Sequence, residues 1–202
     1  MCIRDRAIYY NFDVKGNVQP WTPKPELAIH IGMDFNIDPM TACCFQMDGD
    51  NIRFFDEIVI YGSNTDEMVE EIRIRYGRRK IYIYPDPSCR ARKTSAGGRS
   101  DLTILQNAGF DVRCKNKAPE VRDRINAVNS KLKNANNDRL LFLAPKCKKT
   151  ILGLERHLYK EGTSVPDKEN GYDHMNDAVG YAVDYLFPIR KIQKHTEPMR
   201  WS

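Results

Sequence analysis

Apolar and polar residues alternate through the first of three consecutive segments near the start of the chain. In residues 27–35, apolar side chains fall on one face of an extended segment, and Asp34 lies near its end on the opposite face. The segments TACCFQMD and NIRFFDEIVIY are longer and mostly apolar, and Asp48-Gly49-Asp50 between them has the composition of a hairpin turn. This pattern predicts three antiparallel strands.

Helical and strand patterns alternate through the rest of the chain. Asn64 or Thr65 can cap the first helix, which Gly77 ends. Further strands are predicted at residues 80–84, 110–114 and 139–144, and further helices at 100–108, 119–134, 146–159 and 173–187. Three meandering strands followed by alternating helix and strand predict an α/β fold in which a mixed sheet carries helices on both faces.

The pattern also divides the chain into regions. Residues 1–6 (MCIRDR) resemble adapter read-through, so we interpret them as a non-native leader. Residues 7–26 are Pro-rich with little periodicity and are predicted to be an extended linker. Residues 27–190 form the predicted domain and residues 191–202 a C-terminal tail.

Composition narrows the classes of protein that fit. Of the 202 residues, 41% are hydrophobic and 29% are charged, as is ordinary for a globular protein. No apolar run approaches the roughly 18–20 residues of a membrane-spanning helix, so no membrane association is expected. The six cysteines form no CxxC pair, which argues against a zinc site, and the phosphate-binding pattern GxxxxGK[ST] does not occur.

The positive charge is modest overall but concentrated. The net charge is +5, while residues 113–149 contain eleven Lys or Arg against three acids. Such clusters fit a phosphate backbone, although a solvated helix face explains any single cluster equally well. The candidate DNA-binding residues are Arg92, Lys93, Lys146, Lys148 and Lys149.

Two acids follow predicted strands. Asp34 ends an otherwise apolar strand, where a buried carboxylate is costly unless a cation offsets its charge. Asp86 follows the strand IYIY between two prolines, although it could be only a turn residue. Strand ends are where functional sites cluster in α/β sheets, so both acids are candidate metal ligands.

The segment DHMNDA supplies a third group. Asp173, His174 and Asp177 are spaced so that they can share one face of a helix whose apolar residues dock on the sheet. Asp173 could equally be the helix N-cap, and Asp177 could merely complement the helix dipole. Glu57 is a reserve candidate because its strand is expected beside that of Asp34. Three such carboxylates could hold two Mg²⁺ or Mn²⁺ ions about 3.5–4 Å apart.

These motifs together resemble the C-terminal nuclease domain of the large terminase subunit of tailed bacteriophages, the DNA-packaging motor. The resemblance covers nearly all of residues 7–190 and is carried by HIGMDF, YPDPS, AGGRSDLTIL, PEVRDRINAVNSKL, RLLFLAPKCKKTI and, most specifically, GYDHMNDAVGY. Gly180 departs from the pattern, because an Arg is common there.

The resemblance implies an RNase H-like fold and cleavage of concatemeric double-stranded DNA during packaging. By the resemblance, Asp34, Asp86 and Asp177 would be the catalytic metal ligands and His174 would assist; from their positions alone, Asp173 and Glu57 are possible auxiliary residues. The resemblance further implies two Mg²⁺ or Mn²⁺ ions, an ATPase domain upstream in the native chain, the small terminase subunit and portal ring as partners, and the cytoplasm of an infected bacterial host.

Two alternatives remain open. A resolvase-like or transposase-like nuclease would share the fold and the acids, but the order of motifs from Ala96 to Ala178 favours a terminase. A catalytically silent module that docks on DNA or on the portal ring would not need all three acids.

Overall fold

The computed structural model describes residues 6–91 and 98–189, and the sheet within them has six strands. Their order across the sheet is β5-β4-β1-β2-β3-β6, with β1 and β2 antiparallel, β2 and β3 antiparallel, and the remaining neighbours parallel. The strands are β1 (Ile29–Asp34), β2 (Met40–Asp48), β3 (Asn51–Ile60), β4 (Ile81–Pro85), β5 (Asp111–Val112) and β6 (Leu141–Leu143). The predicted mixed sheet is confirmed.

Helices cover both faces of the sheet, as predicted. The helices are α1 (Val14–Asn17), α2 (Thr65–Tyr76), α3 (Asp101–Asn107), α4 (Val121–Leu132), α5 (Lys148–Arg156) and α6 (Asp173–Leu186). Alternate residues of β1 pack with α2 and α3 in one hydrophobic cluster, whereas Cys43, Phe45 and Tyr84 pack with α4, α5 and α6 in the other. Burial on both faces explains why β2 is apolar almost throughout.

Local chemistry fixes several element boundaries. The Asn64 side chain accepts a hydrogen bond from the Glu67 N–H and caps α2, and Gly77, with φ of 59°, ends it. Two strands are shorter than predicted: β5 has two residues and β6 has three. Both lie at the edges of the sheet, where each has a neighbour on one side.

Residues 7–26 pack against the domain. The prediction of an extended segment is wrong for Val14–Asn17, which form α1, capped by the Asp13 carboxylate. Ile8 and Tyr9 are buried in the cluster beneath α4 and α5, and Val18 bridges to Leu143 of β6. Nothing in the described ranges forms a helix long and apolar enough to cross a membrane. Residues 1–5 and 190–202, including the predicted tail, lie outside the described residues.

Candidate metal centre

Two predicted site acids lie at the same edge of the sheet because β1 and β4 are parallel neighbours. The pairing places Met33 beside Pro85, and the Asp86 N–H donates to the Met33 carbonyl at 3.1 Å. Asp34 is 5% exposed, and Asp86 begins a 3-10 turn (Pro87–Arg90) by accepting a hydrogen bond from the Ser88 N–H. Asp34 and Asp86 therefore leave adjacent strands at the same level.

Helix α6 brings the third acid to this edge. Gly32 of β1 lies against the backbone of Ala178, with no side chain between strand and helix. The Thr41 hydroxyl of β2 donates to the His174 carbonyl at 3.1 Å and fixes the first turn of the helix. Asp177 precedes Ala178 in this helix, and its charge acts on Asp34.

The charges of the other two acids act on Asp34. Burial raises the pKa of Asp34, and the negative charges of Asp177 and Asp86 raise it further, to about 6. His174 and a hydrogen bond from Asn36 act in the opposite direction. Burial also raises the pKa of Asp177, and the positive charge of Arg124 opposes that rise. The charges of Asp177 and Asp86 thus disfavour the ionisation of Asp34, which a bound cation would relieve.

His174 is tied to Asp34 through Asn36, a residue that the sequence reasoning missed. The Asn36 side-chain amide donates to Asp34 Oδ2 at 2.7 Å, and its nitrogen lies 2.7 Å from His174 Nδ1. His174 Nδ1 is also 3.5 Å from Asp34 Oδ2. Asp173 is buried, and its Oδ1 lies 3.8 Å from His174 Nε2 without a hydrogen-bond partner among the described residues.

Arg124 of α4 is a second residue that the sequence reasoning missed. Its Nη2 donates to Asp177 Oδ1 at 2.9 Å, and its guanidinium packs on the Tyr181 ring at 4.1 Å. Arg124 is 6% exposed, so the interpretation of the basic segment as a solvent-facing surface is wrong for this residue. No spacing within α4 indicated this contact, because it depends on Asp177, which lies 53 positions further along the chain.

The donor chemistry fits hard divalent cations. Three carboxylates offer only oxygen ligands, and the partnerless oxygen of Asp173 adds a buried acceptor at the same edge. Among the residues that the structure describes, no three His, Cys, Asp or Glu side chains already form a close metal-binding group. Side-chain movement would therefore have to draw the carboxylates together around a cation.

The remaining candidates lie around this centre or have other partners. The Glu57 carboxylate accepts hydrogen bonds from the N–H groups of Lys149 and Thr150 and from the Thr150 hydroxyl, so it caps α5. Lys146, Lys148 and Lys149 are exposed, and Lys149 lines a cavity of about 300 Å³ with His174. Arg92 and Lys93 lie outside the described residues.

Several solved structures with a similar fold are large terminases or their nuclease domains. The large terminase of a thermophilic bacteriophage, solved in complex with ATP-gamma-S, superposes with a TM-score of 0.70 at 21% identity over 90% of this chain. The match covers 46% of that protein, so this chain spans about half its length. The P22 large terminase nuclease domain gives 0.65 at 13% identity, covering 89% of this chain and 93% of that one. The magnesium-bound large terminase nuclease of the thermophilic phage G20c superposes with a TM-score of 0.59 at 15% identity. The match covers 90% of this chain and 97% of that one.

Sequence comparison agrees with the structural similarity. No curated protein matches the chain. The family model described as the terminase RNaseH-like domain matches residues 31–186, which include most of β1, all of α6 and all three site acids. The expected RNase H-like fold is confirmed, and the chain belongs to the terminase RNaseH-like domain family.

Proposed function

We propose that this domain is the metal-dependent endonuclease of a large terminase subunit and hydrolyses phosphodiester bonds of concatemeric double-stranded DNA during genome packaging. The observation that carries the proposal is the convergence of Asp34, Asp86 and Asp177 on one edge of the sheet, where the charges of the other two acids raise the pKa of Asp34. Structures of the related G20c nuclease with bound cobalt and bound magnesium support the use of divalent cations.

Some site residues would bind the cations, and others orient the carboxylates that bind them. Asp34, Asp86 and Asp177 would hold two Mg²⁺ or Mn²⁺ ions, which when bound activate water and stabilise the leaving oxygen. Asn36 orients the Asp34 carboxylate by donating to its Oδ2 at 2.7 Å, and the same amide links this acid to His174. Because Asn36 donates to His174 Nδ1, the proton of a neutral His174 ring resides on Nε2, facing Asp173.

The proposed role also implies a substrate, partners and a cellular location. We infer that the substrate is double-stranded DNA, that the small terminase subunit and the portal ring are partners, and that the domain acts in the cytoplasm of an infected bacterial host. ATP-driven translocation would require a separate ATPase domain, because the phosphate-binding pattern GxxxxGK[ST] does not occur in these 202 residues.

A plasmid-nicking assay tests the proposal. With Mn²⁺ or Mg²⁺ the protein should convert supercoiled plasmid to nicked and linear forms, and Asp34→Ala should lose this activity. Asp177→Asn should also lose it while still binding labelled duplex in the presence of Ca²⁺. Asp111→Asn, which removes an exposed carboxylate at the start of the edge strand β5, is the matched control and should cut normally.

The same assay separates the alternatives. Binding without cleavage by the wild-type protein at any divalent cation concentration would refute the nuclease proposal and favour a silent docking module. Strong preference for four-way junctions over linear duplex would favour a resolvase-like enzyme.

A further inference from the structure

We propose that Arg124 is a positioning residue for Asp177 and that, through this contact, it strengthens the binding of divalent cations at the site. The inference rests on the proposed function in one respect only, namely that Asp177 is a cation ligand. It concerns a residue of α4, an element to which the sequence motifs assign no site residue.

The burial of Arg124 requires a partner. Arg124 is 6% exposed, and a guanidinium removed from water costs several kcal/mol unless it is paired. Asp177 supplies the pairing through the 2.9 Å hydrogen bond from Nη2. Burial lowers the pKa of Arg124. The charges of Asp177 and, to a smaller extent, Asp86 raise it, and the pKa lies above its ordinary value. The guanidinium thus lies within reach of the charges of two site acids.

The aliphatic part of the Arg124 side chain lies against α6, as its guanidinium does. A Cβ added to Gly180 would lie 3.6 Å from both Cβ and Cδ of Arg124, so the side chain passes directly over the glycine. One turn of α6 therefore provides the ion pair at Asp177, the open surface at Gly180 and the aromatic face of Tyr181. A side chain fixed by three neighbouring contacts presents its donor in one direction.

This arrangement leaves Asp177 with one fixed oxygen and one available oxygen. The hydrogen bond from Arg124 holds Oδ1, which restricts rotation of the carboxylate and directs Oδ2 for a cation. Hydrogen bonds that orient metal ligands typically contribute about 10- to 100-fold to metal affinity or activity. The competing interpretation is that Arg124 only joins α4 to α6 as a structural ion pair.

The sign of the change in cation affinity distinguishes the two interpretations. If Arg124 affected the site only through its charge, its removal would leave Asp177 unneutralised, and Mn²⁺ would bind more tightly. If Arg124 positions Asp177, its removal frees the carboxylate to rotate, and Mn²⁺ binds more weakly. A purely structural role changes the melting temperature and leaves the affinity of the folded protein unchanged.

The test is Mn²⁺ affinity measured by isothermal titration calorimetry without DNA. We expect Arg124→Met to weaken Mn²⁺ binding at least tenfold, and Arg124→Lys, which keeps one donor, to lie between it and the wild type. Lys115→Met is the matched control, because Lys115 also pairs with a buried aspartate of α6, Asp184, two turns from the site. This control should melt at a lower temperature and bind Mn²⁺ within twofold of the wild type.

Each outcome decides the question. Mn²⁺ binding by folded Arg124→Met that is as tight as in the wild type, or tighter, overturns the inference. Should Arg124→Met not fold, Arg124→Lys with affinity within twofold of the wild type overturns it. Absence of Mn²⁺ binding by the wild type would overturn both this inference and the proposed function. A wild type that binds Mn²⁺ without cutting DNA would overturn only the function.

Discussion

Gly32 of β1 and Ala178 of α6 are in direct backbone contact, and this contact sets the distance between strand and helix. A Cβ on Gly32 would overlap the Ala178 carbonyl oxygen and lie 2.9 Å from Cys43 Sγ. Both residues are near site acids, since Gly32 is two positions before Asp34 and Ala178 follows Asp177. The contact therefore joins the packing of the core to the geometry of the candidate metal centre.

Gly32→Ala should push α6 away from the sheet. Its methyl group would meet a backbone oxygen, which cannot move without the helix, so we expect a loss of stability of about 3 kcal/mol, at the upper end of ordinary overpacking. Cleavage should fall with it because Asp177 moves away from Asp34. Chemical denaturation and the plasmid-nicking assay measure the two effects.

Gly180→Ala is the matched control for this substitution. A Cβ there makes only ordinary contacts with Arg124, and alanine favours the helix by up to about 1 kcal/mol. The variant should be as stable as the wild type or more so, and should cut DNA. If Gly32→Ala behaved in the same way, the close approach of β1 and α6 would not control the site.

Some of the site could be predicted from local pattern alone. The alternation in residues 27–35 placed Asp34 at a strand end, and the prolines around Asp86 marked the end of a later strand, as the structure has them. Local pattern does not specify strand order, however. The parallel pairing of β1 with β4, which puts these acids side by side, depends on contacts between residues about fifty positions apart.

Residues that act through contacts between distant parts of the chain could not be predicted from the sequence pattern. Arg124 was counted within a basic segment because charged residues are mostly exposed, and only the pairing with Asp177 shows why it is buried. Glu57 was considered for its strand, but its hydrogen bonds to Lys149 and Thr150 become apparent only when β3 and the start of α5 are placed together. The spacing of residues within one helix or strand does not indicate a contact with a different element, such as that of Arg124 with Asp177 or of Glu57 with α5.

Glu57→Gln should weaken the start of α5 without affecting the chemistry. The carboxylate accepts three hydrogen bonds there, two of them from N–H groups of the first turn, and loss of such a cap costs about 1–2 kcal/mol. Thermal melting should show the loss, while Mn²⁺ affinity should match the wild type. Glu155→Gln, at an exposed position of the same helix, should change neither. Weaker Mn²⁺ binding by Glu57→Gln would instead restore Glu57 as an auxiliary site residue.

The stabilisation by divalent cations should increase with pH. Asp34 has a pKa raised to about 6, chiefly by burial and then by Asp177 and Asp86, so the folded metal-free protein binds this proton more tightly than the unfolded chain does. Its contribution to stability is complete below about pH 4, the ordinary pKa of an aspartate, and is lost as the pH rises towards and through 6. A cation that binds the ionised site offsets this loss and competes with the proton.

Thermal melting at two pH values measures this linkage. The increase in melting temperature caused by Mn²⁺ should be small at about pH 5 and larger at about pH 7.5, on either side of the raised pKa of Asp34. In Asp34→Asn the increase should be reduced at both values, and the decline of metal-free stability between about pH 4 and 6 should be shallower. Equal Mn²⁺ effects at the two pH values in the wild type would show that Asp34 does not control cation binding.

DNA binding should depend steeply on salt, and Lys149 should account for part of that dependence. Lys149 is exposed and shares the lining of a cavity of about 300 Å³ with His174, which places its charge next to the candidate metal centre. Each phosphate contact contributes about 0.9 to the slope of log affinity against log salt concentration. Lys149→Ala should reduce the slope by about that amount in fluorescence anisotropy titrations with Ca²⁺. Lys15→Ala, at an exposed position near the other end of α5, should leave the slope unchanged. If Lys149→Ala had the same slope as Lys15→Ala, the DNA would not contact Lys149 at this cavity.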